Sequence, residues 1–474
     1  MANPMFLPKR RLLIAATLSA AFLAACGGGG GSSAPAPLNV TAAAGDEQIF
    51  VKWDELPAVE YWMWLKEGAT VVVGDKTAVA KVGTNGNGVD SPYIFNIVRA
   101  NTPLTNGTQY ALVINGRKDG GEGGPGAVPV GGPVTPRLAG ATWNAATPFA
   151  SATMNGVAYG RSIGSTGRNS YVAVGDGGAV YNTPDTDDDR IYRSTSALNW
   201  TTPTGTKPAA STDLKAVVYD ASLGTYYAVG SNGSVVYSSD INNWTTLGSA
   251  ATNTTETFNA IASSSGTLVA VGNKGTLRYS TNGTTWTTPA SISEDISAID
   301  LRGVTYNNGV WVAVGSNGKV LTSTSVGTWT VSTQSGDLTA VASGSHTLNS
   351  VTTHYYLAVG ADGTVLTSTN GSTWTTANVG SALRTAAVGS RLIAMGDNGA
   401  VWYRELAGTT WAAATGASGT MLGVIREQNI YTAVGAAGAL GSLPAAMLSP
   451  DVLRTELAAL QAAGRPYNVN FFCH

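Results

Sequence analysis

Charge, cysteine and histidine are all scarce in this chain. Of its 474 residues only 12% are charged, about half the share of an ordinary soluble domain. The net charge is −2, and no run of either sign stands out. Without clustered Lys and Arg there is no electrostatic footprint for a nucleic-acid partner. Two cysteines make at most one bridge, which excludes a disulfide scaffold, and three histidines argue against a His-rich metal site. Glycine is abundant instead, at 59 residues, alongside Thr, Ser, Val and Trp. That balance describes an all-β protein working outside the cytoplasm. A prior of about 150 residues per domain gives two to four domains, each able to bury a core.

The N terminus supplies an address. Lys9-Arg10-Arg11 precedes an apolar stretch from Leu12 to Leu23 that is too short to span a bilayer and has signal-peptide form. It ends in Leu23-Ala24-Ala25-Cys26, which resembles the bacterial lipobox at every position. The resemblance implies that residues 1–25 are removed and that the thiol of Cys26 is lipidated, so the membrane is an expected partner. Removal would take the net charge to −5. Gly27, not Asp, follows the cysteine, which implies an outer-membrane lipoprotein of a Gram-negative envelope, facing the periplasm or the surface. Residues 26–37, rich in Gly, Ser and Pro, read as a flexible tether.

From Leu38 the pattern turns to strand alternation. Ile49, Val51 and Trp53 fall on one face, Tyr61-Trp62-Met63-Trp64 forms an aromatic strand, and Leu104 to Ile114 reads as a turn running into a strand. Residues 38–136 have the size of a β-sandwich domain. The segment resembles the fibronectin type III family, with Trp53 at its buried strand-B position and Leu104 to Tyr110 at its tyrosine corner. Trp62 and Trp64 could stack on a sugar, although packing is the better reading.

The body of the chain, residues 141–442, repeats one phrase: a strand, Val-Gly-x-x-Gly, a second strand, then a trailing Trp. The first glycines are Gly175, Gly230, Gly272, Gly315, Gly360, Gly396 and Gly435, spaced 55, 42, 43, 45, 36 and 39 residues apart. Asn-Gly and Asp-Gly within the phrase predict a two-residue hairpin turn with positive φ at both central positions. The trailing residues are Trp200, Trp244, Trp286, Trp329, Trp374 and Trp411, and a spare, Trp143, precedes the first phrase. A period near 43 with four short strands fits a β-propeller blade. Seven blades are expected, with the strand near Trp143 closing the last one and so covering a free edge.

The turns before the Trp, such as Ser238 to Trp244, Ser280 to Trp286 and Ser368 to Trp374, resemble shortened Asp-boxes of the BNR repeat family. The whole phrase is similar to propellers of the photosystem II assembly-factor type. In such turns Ser and Asp or Asn satisfy backbone N–H groups while the Trp packs between blades. Sialidases share only the turn. A Phe/Tyr-Arg-x-Pro start is missing, and Arg161, Arg190, Arg278, Arg302, Arg384 and Arg404 read as scattered and out of phase. Asp185, Asp187 and Asp189 offer oxygens for Ca²⁺ but lack the turn glycine and distal Glu of such a loop, so a solvated loop is preferred. His346 and His354 read as surface or satisfied side chains.

Residues 443–474 do not belong to the repeat. Ser449-Pro450-Asp451 caps a helix carrying Leu453, Leu457 and Leu460, and Tyr467 to Phe472 reads as a strand. Gly-Ala-Leu-Gly-Ser-Leu, Leu-Ser-Pro-Asp-x-Leu-Arg-x-Glu-Leu and Asn-Val-Asn-Phe-Phe-Cys-His resemble the early part of nitronate monooxygenases, FMN-dependent (β/α)₈ barrels. One βαβ step cannot build a flavin phosphate site, so no catalytic residue and no cofactor carries over.

The expectation is therefore an all-β chain: a fibronectin type III-like β-sandwich followed by a seven-bladed β-propeller, with a short αβ tail. It is expected to be a lipid-anchored binding or scaffold protein for a protein or glycan ligand, not an enzyme. The alternatives are a glycan-acting, sialidase-like propeller or a flavin enzyme through the tail.

Overall fold

The structure is a computed structural model that describes residues 34–81, 89, 91, 93–95, 97–99, 102–118, 123–137, 140–141, 152–161, 169–183, 200–348, 351–427 and 430–436. Cys26, Trp143, Asp185, Asp187, Asp189 and the tail 443–474 lie outside the described residues. The described chain is all-β, a two-sheet sandwich followed by a ring of seven blades.

The sandwich strands are β1 (Leu38–Gly45), β2 (Gln48–Asp54), β3 (Glu60–Glu67), β4 (Val79–Lys81), β5 (Tyr93–Phe95), β6 (Ile97–Arg99), β7 (Thr102–Pro103), β8 (Tyr110–Arg117) and β9 (Gly126–Ala127). One sheet has the order β1-β2-β5 and the other β4-β3-β8-β9, with β6-β7 a short separate hairpin. Alternation decides what is inside: Ile49, Val51 and Trp53 of β2 meet Tyr61, Met63 and Leu65 of β3 and Tyr110, Leu112 and Ile114 of β8. The Trp53 ring lies 5.4 Å from that of Tyr61. The hydroxyl of Tyr110 accepts the Thr105 N–H at 3.0 Å, closing the corner before β8. Trp64 is buried, whereas Trp62 is half-buried beneath the Arg117 guanidinium, 4.7 Å from the ring centre. The Trp62 indole N–H is held by Glu60 at 2.7 Å, so this pair packs the strand face.

The seven inner strands of the propeller are Met154–Arg161, Leu214–Asp220, Phe258–Ser264, Leu301–Asn307, Leu338–Leu348, Leu383–Val388 and Met421–Glu427. Each packs beside the next, and the seventh returns to the first, so the ring is closed. Blade 4 has an unexpected fifth strand, Ser291–Ile292, pairing parallel with Thr328–Thr333. Blade 7 shows two described strands, and the chain reaches the propeller beside blade 6, where Ala141 O accepts the Thr415 N–H at 3.1 Å.

The repeated phrase has a steric explanation. The residue after each first glycine donates its N–H to a carbonyl just before the inner strand, as Ser231 does to Asp213 at 2.9 Å and Asn273 to Thr257 at 3.0 Å. A Cβ on Gly230 or Gly272 would lie 1.9 or 2.1 Å from that same oxygen. The turn that follows has the left-handed pair its Asn-Gly implies, with φ 57° at Asn232 and 62° at Gly233. The hairpin is longer than two residues, because the Ser231 N–H is diverted to Asp213 and Gly230 N–H closes the loop on Ser234 O. Blade 5 departs further: Gly363 has φ 83° but Asp362 stays out of the left-handed region.

The trailing Trp residues do pack between blades. Trp244 of blade 2 joins Val172 and Val174 of blade 1, Trp329 joins Val269 and Val271 of blade 3, and Trp200 joins Val434 across the closure of the ring. The turns before them are hydrogen-bonded internally. Gly283 N–H meets Ser280 Oγ at 2.9 Å and Thr285 N–H meets Asn282 Oδ1 at 2.8 Å, with the same pair of bonds at Ser368 and Asn370.

A second inter-blade fastener sits four residues before the first glycine. Tyr226 donates its hydroxyl to Gly160 O and Ser170 O of blade 1, at 2.8 and 2.7 Å. Tyr356 reaches Asn307 O at 2.6 Å and Tyr431 reaches Arg391 O at 3.2 Å, each on the preceding blade. Burial pushes the hydroxyls of Tyr356 and Tyr431 up to about 12 and that of Tyr226 well above the usual tyrosine range. Tyr226→Phe is expected to cost about 1–2 kcal/mol, because two buried carbonyls lose their donor. The midpoint of urea unfolding measures it.

Candidate functional site: the central channel

The inner strands enclose a channel of about 480 Å³. Its chemistry is set by a repeated irregularity. Every inner strand slips register immediately after its first residue, as between Met154 and Gly156 or Leu383 and Thr385. The residue left outside the ladder is a bulge, free to aim its side chain. The seven bulged residues are Asn155, Lys215, Asn259, Arg302, Thr339, Arg384 and Leu422, and together they form a circle around one mouth of the channel, here the upper mouth. Two positions below them comes an apolar ring: Val157, Val217, Ile261, Val304, Val341, Ala386 and Val424.

The circle is laced to itself. Asn155 donates to Leu214 O at 2.8 Å, Asn259 to Leu301 O at 2.9 Å, Arg302 to Leu338 O at 3.3 Å and Thr339 to Leu383 O at 2.9 Å. Each bond runs from one blade to the first carbonyl of the next inner strand. The cations have carboxylate partners as well. Lys215 meets Asp176 at 3.0 Å, Arg302 meets Asp337 at 2.9 Å, and Arg384 takes Asp397 at 2.8 Å. The Arg384 ion pair holds the Asp397 carboxyl below the usual carboxylate range. Burial raises Asp176, but the bonds from Asn155 and Lys215 outweigh it and hold that carboxyl low too.

Arg302 and Arg384 are thus in phase with Lys215, contrary to the sequence expectation that the arginines are scattered. The bulge is a backbone property, and the length of the hairpin between it and the glycine phrase varies, which hides the common register. Arg278 does lie apart, its guanidinium bonded to Thr252 O and Asn253 O. His354 Nδ1 pairs with Ser345 Oγ at 2.8 Å on the long hairpin of blade 5. Among the described residues no group of three metal-ligating side chains comes together.

The lower side of the ring carries the sandwich. Asp46, in the turn between β1 and β2, inserts beneath blade 6, where Arg391 Nη1 meets it at 3.0 Å and Ser390 Oγ at 2.6 Å. Asn106 of the sandwich completes its bonds at 2.6 Å, and Glu405 takes the other side of the guanidinium at 2.6 Å. The Asp46 and Arg391 side chains are 3% and 5% exposed, so this is a buried ion pair between the two units.

A family model described as the DUF6242 beta propeller domain matches residues 142–296. Among solved structures, the chain is similar to YCF48 bound to D1 peptide, at 14% identity over 62% of this chain and 93% of that one, with a TM-score of 0.47. YCF48 from Cyanidioschyzon merolae matches at 15% identity over 63% of this chain and 97% of that one, TM-score 0.45. The WD40 beta propeller domain of Doa1 matches at 11% identity over 63% and 94%, TM-score 0.45. No curated protein matches.

Proposed function

We propose that this is a lipid-anchored binding protein of the bacterial cell envelope, whose propeller offers its upper mouth to a protein ligand and catalyses no reaction. The observation that carries this reading is the Asp46–Arg391 clamp. It fixes the near end of β1 beneath blade 6, and Leu38, at the start of that eight-residue strand, lies about 25 Å along the strand from the clamp. Leu38 thus stands at the end of the β1–β2 hairpin opposite the clamped turn, on the side from which the chain continues toward Cys26. A lipid on Cys26 puts the membrane on that side and turns the upper mouth away from it. In this reading the sandwich is a fibronectin type III-like spacer.

Two measurements test it. Cys26→Ser is expected to release the protein from the membrane fraction and to abolish globomycin-sensitive processing; unchanged processing and fractionation overturn the anchoring. Photo-crosslinkers placed in cells at Asn317 and Asn398, in the upper turns, are expected to give a discrete protein adduct that the same probe on the lower hairpin of blade 5 does not give. A glycan-array signal or sialidase turnover from the purified protein instead overturns the protein-ligand reading.

A further inference from the structure

Among the described residues, large apolar side chains are exposed at seven positions, and six of these belong to the sandwich. Four of the six gather on one edge. The chain through and beyond β9 alternates: Ala127 and Pro129 turn inward, while Gly126, Val128 and Val130 face out. Val73 lies over the outward side of Gly126, where a Cβ would meet its Cγ2 at 2.7 Å. Val72, Val128 and Val130 are 66%, 61% and 74% exposed. Val130 donates its N–H to Val40 O at 2.9 Å, which draws the exposed Leu38 toward the same edge. Single valines scattered over a surface need no explanation, but a contiguous apolar row marks a contact.

The tether starts beside this row. Ala34 is buried against Gly116 and Gly124, its carbonyl oxygen 1.9 Å from where a Gly124 Cβ would stand. Gly126 follows Gly124 by two residues, so the row begins roughly 7 Å from that point and runs on for about 13 Å to Val130. Residues 27–33 separate Ala34 from Cys26, and even fully extended they span less than about 30 Å. We propose that this apolar edge of the sandwich lies against the lipid bilayer that holds Cys26, its valines entering the boundary between headgroups and acyl chains. The inference rests on the reading that Cys26 carries a lipid. So short a tether keeps the edge at high effective concentration beside the bilayer, and a small apolar contact then suffices. The row is too small for a stable protein interface, which takes about 20–30 residues a side, and it contributes none of the Trp, Tyr and Arg anchors that carry such interfaces. The sandwich therefore rests edge-on at the membrane instead of swinging on its tether.

The test reconstitutes the mature protein, carrying Cys473→Ser, into vesicles of phosphatidylethanolamine and phosphatidylglycerol. An environment-sensitive fluorophore is attached at Val73→Cys, Val128→Cys or, as the control, Asn317→Cys, and the vesicles are made with and without a nitroxide quencher on the acyl chains. The probes at positions 73 and 128 are expected to be quenched about twofold, since an apolar face sinks roughly 5–10 Å into that boundary, and the probe at position 317 not at all. Val128→Asp with Val130→Asp is expected to abolish quenching at position 73 while leaving the melting temperature unchanged, because both side chains are exposed. Quenching at positions 73 and 128 no greater than at 317, or undiminished by the Asp pair, overturns the inference. So does a probe response that rises with protein density and ignores the quencher, which assigns the edge to a second copy of the chain. Flotation of the labelled protein with the vesicles reports the anchor separately. Protein that floats without quenching overturns this contact alone, and protein that does not float overturns the anchoring reading and the contact with it.

Discussion

Gly230→Ala is expected to destabilise the propeller by about 3 kcal/mol or more, lowering its melting temperature by roughly 6–12 °C. The cause is contact and not backbone strain, because Gly230 is in extended conformation with φ −173°. The new Cβ would stand 1.9 Å from the carbonyl oxygen of Asp213 and 2.9 Å from Leu214 Cα. Relief requires the loop and the inner strand to move together. That movement breaks the Ser231 N–H bond to Asp213 and the bulge that places Lys215. Gly248→Ala is the control, since nothing lies within 4 Å of its Cβ site and its φ is −85°. It should melt close to the wild type or slightly above it. A Gly230→Ala protein melting within about 2 °C of the wild type would show that the close approach is not rigidly held.

Arg391→Met should cost about 3–5 kcal/mol at the joint between the two units, because it leaves Asp46 buried without its cation. The side chain that remains is 3% exposed and keeps only its bonds from Ser390 and Asn106. Calorimetry should then show the sandwich and the propeller melting as two separate transitions, where the intact chain melts as one. Arg391→Met combined with Asp46→Leu should recover much of the loss, since an apolar pair carries no stranded charge. Recovery in the double variant separates the charge effect from simple loss of packing. A single variant that still melts in one wild-type transition would mean that other contacts hold the joint.

Much of the ring was legible in the sequence because its cause recurs in letters. Glycine is the residue without a Cβ, and every blade needs that gap where Gly230 passes Asp213, so the phrase returns in each. The indole of Trp244 or Trp329 fills an inter-blade space of constant size, so Trp returns as well. The upper mouth left no such trace. Its seven positions hold Asn, Lys, Asn, Arg, Thr, Arg and Leu, and only the backbone slip is common to them. Counting from the glycines does not align them either. Arg302 precedes Gly315 by 13 residues, whereas Asn155 precedes Gly175 by 20. The clamp was invisible for another reason. Asp46 and Arg391 are 345 residues apart, and an isolated Asp in a turn and an isolated Arg at a strand start carry no pattern. The tyrosine fastener was half visible. Tyr recurs four residues before Gly175, Gly230, Gly360 and Gly435, but Leu268, Trp311 and Leu392 take its place in the other three blades.

Seven is odd, and the upper mouth inherits a direction from that fact. Cations at blades 2, 4 and 6 are separated by one blade each, but the return from blade 6 to blade 2 crosses two, blades 7 and 1, which contribute Leu422 and Asn155. The circle therefore has a neutral gap and cannot be rotated onto itself. A ligand seated on it has one azimuth, not three equivalent ones.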